Sequence, residues 1–254
     1  MPVMDEFREE RKSIKNGTLK QKWQYFKDYY LLTVVIVLVA TAFIGAFLYN
    51  YITAKEDALY AIMLNASSYD ENEWFSNEYT LAAGIDTDKF QVVFDDASFY
   101  ELNSNDEVSY TTMQKLQTYA GAGQLDAMLG TGEEFKYFAN GVLFTDLRNL
   151  LSEEQLAKYE PYLYYVDDAL MDKADENAQN QLAVDATRIP DPRRPEDMEQ
   201  PTPVAIYVES SDKLNQAFYF PNAEEGIAIG VYSNAPHPEN AISFIDYLLS
   251  ESVK

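Results

Sequence analysis

Two short polar turns contain the residue types most suited to binding a ligand. Gly130, Thr131 and Gly132 lie between a buried-type apolar segment and a predicted helix start, where free backbone N–H groups could hold a ligand oxygen or an anion. Ser233 and Asn234 follow an apolar strand in the same way, and open α/β sheets bind ligands at such strand ends. We predict that the two turns line one edge of the sheet, although turn geometry alone also explains these residues.

The same region is not a dinucleotide-binding fingerprint. Phe135 stands where the third glycine of that motif would be, and Glu133 and Glu134 would repel phosphate.

The chain has no cysteine, which excludes disulfides, thiolate metal sites and cysteine nucleophiles. Its only histidine, His237, precedes a proline, no G-x-S-x-G motif is present, and a His-based zinc site lacks ligands. We therefore predict no catalytic residue, no metal and no cofactor.

Adjacent acidic residues recur at positions 95–96, 133–134 and 167–168. Acid–base hydrolysis needs two carboxylates set apart across a substrate, which adjacency in sequence does not show. These pairs therefore favour a solvated acidic face, and a cell-surface hydrolase remains the most distant alternative. Residues 86–88 and 103–106 resemble calcium loops but lack the regular acidic spacing, the central glycine and the glutamate at position twelve.

Residues 31–49 form an uncharged apolar segment around which the chain is organised. As a helix, a segment of this length crosses the hydrocarbon core of a bilayer, which is about 30 Å thick. We predict a transmembrane anchor over residues 31–52, a tail over 1–30 and one domain over 55–254. A cleaved signal peptide is the alternative, but such apolar regions are shorter and the one A-x-A sequence lies mid-segment.

The charges that flank this segment predict its orientation. Residues 1–30 contain seven basic and five acidic residues, and Lys55 is the only basic residue between the segment and Lys89. The positive-inside rule places the N-terminus in the cytoplasm and the large domain outside the cell, in a single-pass membrane protein. A capping box from Thr18 to Gln21 predicts a juxtamembrane helix, which either lies along the inner leaflet or continues into the span.

Residues 31–254 contain 12 basic and 37 acidic residues, a net charge of −25. So acidic a domain repels phosphates, and we predict no nucleic-acid partner. Its alternating strand-like and helix-like segments predict an α/β fold. The predicted strands cover residues 59–65, 90–94, 125–130, 204–208 and 226–232. The predicted helices cover 73–83, which Gly84 caps, 110–121 and 133–139; a capping box at Ser152 and a proline at Pro238 start two more, and the last has an apolar stripe at positions 241, 244, 245, 248 and 249.

Two features complete this prediction. Residues 167–203 are rich in proline and charge, and we predict a mobile loop there. Ala228 and Gly230 leave one face of the last strand thin, which predicts close packing against it.

Two stretches, residues 113–155 and 227–250, resemble bacterial extracellular solute-binding proteins of ABC importers. The first resembles the family's "a-x-G-x-x-D-a/v" turn, strand and following helix, and the second its late strand followed by a helix that begins near a proline. The matching positions are Ala122, Gly123, Asp126, Ala127, Ala139, Gly141, Leu143 and Leu147, and Pro238, Glu239, Ala241, Phe244 and Ile245.

The resemblance implies an extracellular α/β domain similar to one lobe of a periplasmic-binding-protein-like fold. Family members have two lobes around a ligand cleft, and only residues 165–203 could supply a second lobe here. We therefore expect a non-enzymatic, membrane-anchored solute-binding-like or accessory protein associated with an ABC transporter or another membrane protein. The alternative is a structural or assembly protein whose outer domain binds another protein and no solute.

Overall fold

A computed structural model describes residues 17–69, 73–141, 143–170 and 189–250. Residues 1–16 of the basic tail, and residues 171–188 of the predicted loop, lie outside the described residues. The chain divides into two compact units, Met1–Ala54 and Lys55–Lys254, which we call the first and second units.

The described part of the first unit consists of two helices. Helix α1 (Leu19–Tyr29) begins with the predicted capping box, because the Thr18 side chain accepts from the Gln21 N–H and the Gln21 side chain accepts from the Thr18 N–H. Helix α2 (Leu31–Thr53) follows after Tyr30 alone. The Tyr30 N–H donates to Phe26 O and Tyr30 O accepts from the Val34 N–H, both at 2.8 Å, so helical hydrogen bonding continues from α1 into α2.

Helix α2 has 23 residues and no charged side chain, and none of its positions with described burial is buried. Among the described residues it is the one helix that is long and apolar enough to cross a membrane. At 1.5 Å per residue it spans roughly 35 Å, slightly more than the hydrocarbon core of a bilayer. It extends beyond the predicted apolar segment to include residues 50–53.

The second unit is a mixed α/β domain built on a six-stranded sheet. Its described strands are β1 (Glu56–Met63), β2 (Ser67–Ser68), β3 (Phe90–Asp95), β4 (Ala127–Thr131), β5 (Leu163–Asp167), β6 (Pro201–Tyr207), β7 (Phe218–Tyr219) and β8 (Ile227–Val231). The strand order of the large sheet is β3-β1-β4-β8-β6-β5. Strands β3, β1 and β4 are parallel to one another, whereas β8 pairs antiparallel with both β4 and β6, and β6 pairs antiparallel with β5. A separate two-stranded sheet pairs β2 with β7.

Helices cover both faces of the large sheet, as alternating side chains of its strands require. The described helices are α3 (Glu73–Ala82), α4 (Glu107–Gly121), α5 (Gly132–Ala139), α6 (Leu147–Leu150), α7 (Glu153–Tyr159), α8 (Asp212–Ala217) and α9 (Pro238–Leu249), with 3-10 turns at Glu160–Tyr162, Pro195–Asp197 and Ala223–Glu225. In β1, Leu59, Ala61 and Met63 join one hydrophobic core with α3 and α9, whereas Ile62 joins a second core with α4 and α5.

Local capping signals set several helix ends as predicted. Helix α3 ends in a Schellman motif: Gly84 has φ +67°, its N–H donates to Leu81 O, and the Ile85 N–H donates to Thr80 O. The predicted capping box at Ser152 opens α7. Pro238 is the first residue of α9, whose predicted apolar stripe is buried. The five predicted strands are also present, with ends shifted by a few residues.

The prediction of a loop over residues 167–203 is wrong at both described ends. Strand β5 was not predicted at all, and β6 starts at Pro201 rather than at residue 204. Strand β8 pairs only with residues 205–207 of β6, so Pro201 and Pro203 lie where β6 has a single paired neighbour, β5. Proline is tolerated there because no second neighbouring strand needs a hydrogen bond from its missing N–H.

The thin face predicted on β8 is filled by an aromatic ring. A Cβ atom added to Gly230 would lie 2.6 Å from Cγ of Phe144, a buried side chain that also stacks on Phe135 with ring centroids 5.5 Å apart. Real Cβ atoms do not approach other atoms so closely. Glycine at this position therefore lets the segment after α5 pack directly on the centre of the sheet.

We expect Gly230→Ala to destabilise the second unit by about 1–3 kcal/mol, because the added methyl group overpacks the core against Phe144. The matched control is Gly121→Ala in α4, where an added Cβ has no atom within 4 Å. That change should be neutral or stabilise by up to about 1 kcal/mol. Urea unfolding of both variants measures the difference, and equal effects would contradict the packing assigned to Gly230.

Candidate functional site

The predicted turn at Gly130–Gly132 lies where β4 ends and α5 begins, at the carboxyl end of a central strand. Gly132 has φ +61°, which favours glycine, and a Cβ added to Gly130 would lie 3.2 Å from Phe135 Cβ. The geometry of the tight turn therefore accounts for both glycines. The Thr131 hydroxyl donates to Pro221 O at 2.6 Å rather than capping α5. This bond ties the turn to the loop after β7.

One side of this turn opens into a groove of about 420 Å³, which we call the Tyr164 groove. Segments far apart in the chain build it: the β4–α5 turn, β5, β6, the loop before the Pro195–Asp197 turn, and the start of β8. Its lining residues are Gly130, Thr131, Gly132, Glu133, Phe135, Lys136, Tyr164, Asp191, Pro192, Arg193, Tyr207, Glu225, Gly226 and Ala228.

A buried tyrosine forms the floor of the groove. Tyr164 is 4% exposed, and its ring packs edge-on against Phe135 with centroids 5.4 Å apart. Burial, reinforced by the charges of Glu133 and Asp191, raises the pKa of Tyr164 well above 10. The hydroxyl therefore stays protonated and can donate to, and accept from, a ligand in the groove.

A stacked arginine also lines this groove. The Arg193 guanidinium lies 3.5 Å from the ring centroid of Tyr207, and its Nη2 lies 2.9 Å from Glu209 Oε1. Gly226 makes this stack possible, since it has φ +99° and an added Cβ would lie 2.5 Å from Arg193 Nη2. Arg193 was not predicted as a site residue; its only signal in the sequence is that it begins the one adjacent basic pair of an acidic domain.

Ser233 and Asn234 do not join this groove, so their predicted placement is wrong. Strand β8 runs antiparallel to β4, and residues that follow β8 therefore lie at the edge where β4 starts. There the Ser233 N–H donates to Leu143 O, and the Asn234 side-chain amide donates to Ala120 O near the end of α4. Both residues act as connectors between neighbouring loops.

At this opposite edge, the carboxylate of Asp126 joins three elements of the fold. Asp126 is fully buried; its Oδ2 accepts from the Tyr60 N–H at 2.8 Å and its Oδ1 accepts from the His237 N–H at 2.7 Å. Its own N–H donates to Tyr60 O, and its carbonyl accepts from the Tyr232 N–H. The side chain thus connects β1, the start of β4 and the start of α9.

Burial raises the pKa of Asp126 above its ordinary value, although the two backbone N–H donors act in the opposite direction. The His237 Nδ1 atom lies 3.5 Å from Asp126 Oδ2, too far for a good hydrogen bond, so their contact is electrostatic and depends on histidine protonation. Because His237 lies at the edge where β4 starts, it is not available as a base to the Tyr164 groove.

One residue from each of two acidic pairs is used in structural contacts. Asp95 accepts from the Tyr60 hydroxyl at 2.6 Å and from Lys115, and Asp167 accepts from the backbone N–H groups of Glu199 and Gln200. Within the described ranges, no group of three or more His, Asp or Glu side chains is arranged to hold a metal ion. The Tyr164 groove offers hydrogen-bonding groups, two basic side chains and aromatic surface to a ligand.

Comparison of the chain with protein-family models, with curated proteins and with solved structures finds no match.

We expect Asp126→Asn to destabilise the second unit, because the amide keeps one acceptor and turns an NH₂ group toward a buried backbone N–H. An unsatisfied buried group of this kind costs about 1–3 kcal/mol. Asp88→Asn, at an exposed position, is the matched control and should change stability by less than about 0.5 kcal/mol. Thermal unfolding of the two variants tests this, and similar losses in both would show that Asp126 does not join these elements.

Proposed function

We propose that this chain is a membrane-anchored extracellular binding protein, related to one lobe of solute-binding proteins, that serves as a non-enzymatic accessory to a membrane transporter. The observation that carries the proposal is the position of the two stretches that resemble that family. They form β4 with α5 and β8 with α9, and the two strands pair side by side at the centre of the sheet.

The Tyr164 groove supports a binding role for this edge. The turn that the sequence singled out, Gly130–Gly132, forms part of its wall, and Tyr164, Lys136 and Arg193 also line it. The hydroxyl, ammonium and guanidinium groups of these side chains can form hydrogen bonds with a polar ligand. A polar solute with hydroxyl, amide or amine groups fits this lining better than an apolar one.

Helix α2 supports the anchored location. It follows a basic, aromatic segment in which Trp23 stacks on Phe26 with ring centroids 5.7 Å apart, and Lys20, Lys22 and Lys27 lie in the same helix, α1. Aromatic and basic residues at the cytoplasmic end of a span are typical of inserted helices. A permanent tether suits a protein that works beside a fixed membrane partner rather than one that diffuses to collect solutes.

A second function is favoured by a specific observation. The segment that could supply a second lobe is described over residues 165–170 and 189–203, which contribute to strands β5 and β6 of the large sheet and to one wall of the Tyr164 groove. The described part of the second unit therefore offers one large sheet, one two-stranded sheet and no facing lobe to close on a solute. This favours an assembly protein whose outer domain binds another protein.

The proposed topology predicts a labelling pattern. Because the chain has no cysteine, Lys22→Cys and Glu153→Cys each create a single thiol. In intact cells a membrane-impermeant maleimide should label the Glu153→Cys variant, and it should label Lys22→Cys only after permeabilisation. Labelling of Lys22→Cys in intact cells would contradict the orientation, and release of the Glu153→Cys protein into the medium would contradict the anchor.

The binding role predicts a ligand-dependent rise in melting temperature of the full-length protein in nanodiscs, screened with sugars, amino acids and short peptides. A ligand at 100 times its Kd stabilises by about 2.7 kcal/mol. Tyr164→Phe should leave the ligand-free melting temperature unchanged and reduce the ligand-induced rise, whereas Tyr110→Phe, at an exposed position of α4, should not. A flat response across the panel would reject solute binding and leave the assembly function.

A further inference from the structure

Phe99 is an exposed aromatic residue that the backbone holds in place. The Asn65 side chain forms two hydrogen bonds with the backbone of Tyr100, at 2.8 Å to its carbonyl and 2.7 Å from its N–H. The Asn65 N–H donates to the carbonyl of Ser98, which is fully buried. Both neighbours of Phe99 are thereby fixed, yet the Phe99 side chain is 40% exposed.

Phe99 borders a groove of about 480 Å³ on the other side of Thr131, which we call the Phe99 groove. Val108, which is 55% exposed, and Pro221 add apolar surface to it, and Tyr100 is held firm by stacking on Tyr137 with ring centroids 5.7 Å apart. The groove is lined by Asn65, Phe99, Tyr100, Glu101, Asp106, Val108, Ser109, Thr131, Glu134, Pro221 and Asn222.

Two of the exposed apolar side chains described in the second unit line this groove, Phe99 and Val108. A third, Tyr219, lies two residues before Pro221 in the chain. Tyr219 pairs with Ser67 in the small β2–β7 sheet, and the neighbouring Ser68 donates its N–H to Asp96 in the loop that leads to Phe99. The exposed large apolar and aromatic residues described in this unit are Tyr69, Leu81, Phe99, Val108, Tyr110 and Tyr219. Exposed apolar side chains that share a groove with polar residues at its rim are typical of a protein-binding surface.

The charged residues of the Phe99 groove indicate the charge of the partner that it would bind. Glu101, Asp106 and Glu134 line it with no Lys, Arg or His, whereas the neighbouring Tyr164 groove contains Lys136 and Arg193. Hydrogen bonds from Ser104 and Ser109 lower the pKa of Asp106, which therefore stays ionised. A lining of this charge, in a domain that is itself strongly acidic, repels anionic lipid head groups and nucleic acids and attracts cationic groups.

We propose that the Phe99 groove docks a segment of another protein in which an apolar side chain is flanked by lysine or arginine residues. The apolar side chain would pack between Phe99, Val108 and Pro221, and the basic groups would pair with Glu101 and Glu134. A fixed aromatic residue loses little entropy on binding, which suits it to act as the main contributor to affinity. The proposal goes beyond solute binding and does not depend on the Tyr164 groove.

The experiment measures fluorescence anisotropy of a labelled peptide of alternating leucine and lysine, titrated with full-length protein in phosphatidylcholine nanodiscs, with empty nanodiscs as the blank. The matching leucine–glutamate peptide should not bind. Phe99→Ser should weaken binding of the basic peptide about tenfold, the loss typical of a residue that contributes strongly to an interface. Val108→Ser should weaken it as well, and both positions are exposed, so the melting temperature should be unchanged.

A matched pair of charge reversals separates docking from general attraction. Glu101→Lys and Glu153→Lys change the net charge equally, but Glu153 lies at the exposed start of α7 and outside the groove. Glu101→Lys should weaken binding several-fold more than Glu153→Lys. Equal effects of the two reversals, or full binding by both Phe99→Ser and Val108→Ser, would overturn the proposal. Tyr164→Phe should leave peptide binding intact, so failure of solute binding and failure of docking give different results.

Discussion

The antiparallel pairing of β4 with β8 is the constraint on which the rest of the second unit depends. It joins a strand from the middle of the chain to one near its end, with Thr131 opposite Ile227 and Ala127 opposite Val231. Both strands are fully buried, so their backbone groups must pair within the sheet. At one end the Asp126 carboxylate holds the start of β4 against β1 and α9.

This pairing also determines where binding surfaces can form. The carboxyl end of β4 meets the start of β8, and the loop before β8 is tied to that end by the bond from Thr131 to Pro221. Grooves open on either side of Thr131: one is lined by Tyr164, Lys136 and Arg193, and the other is acidic and bordered by Phe99. The two grooves at this edge of the sheet therefore differ in the charge of their lining.

Features set by neighbouring residues could be predicted from the sequence. The capping box at Thr18, the glycine end of α3 and the apolar stripe of α9 depend on residues within a few positions of each other, and all were confirmed. The predictions that were wrong concern the pairing of strands that are far apart in the chain. Nothing near Ser233 and Asn234 indicates that β8 runs against β4, and the strand character of β5 becomes clear only when β6 pairs with it. Tyr164 and Arg193 line the same groove only because the fold brings their segments together, and nothing near either residue in the sequence indicates this.

The most direct test of this account is the direction of the β4–β8 pair, which the absence of native cysteine makes measurable. Thr131→Cys with Ile227→Cys places two thiols on directly opposed residues, within the Cα separation that a disulfide spans. Ala127→Cys with Ile227→Cys would be opposed only if the strands ran parallel. The account predicts rapid oxidative cross-linking of the first pair and none of the second. Cross-linking of the second pair alone would contradict the fold, and with it the position of both grooves.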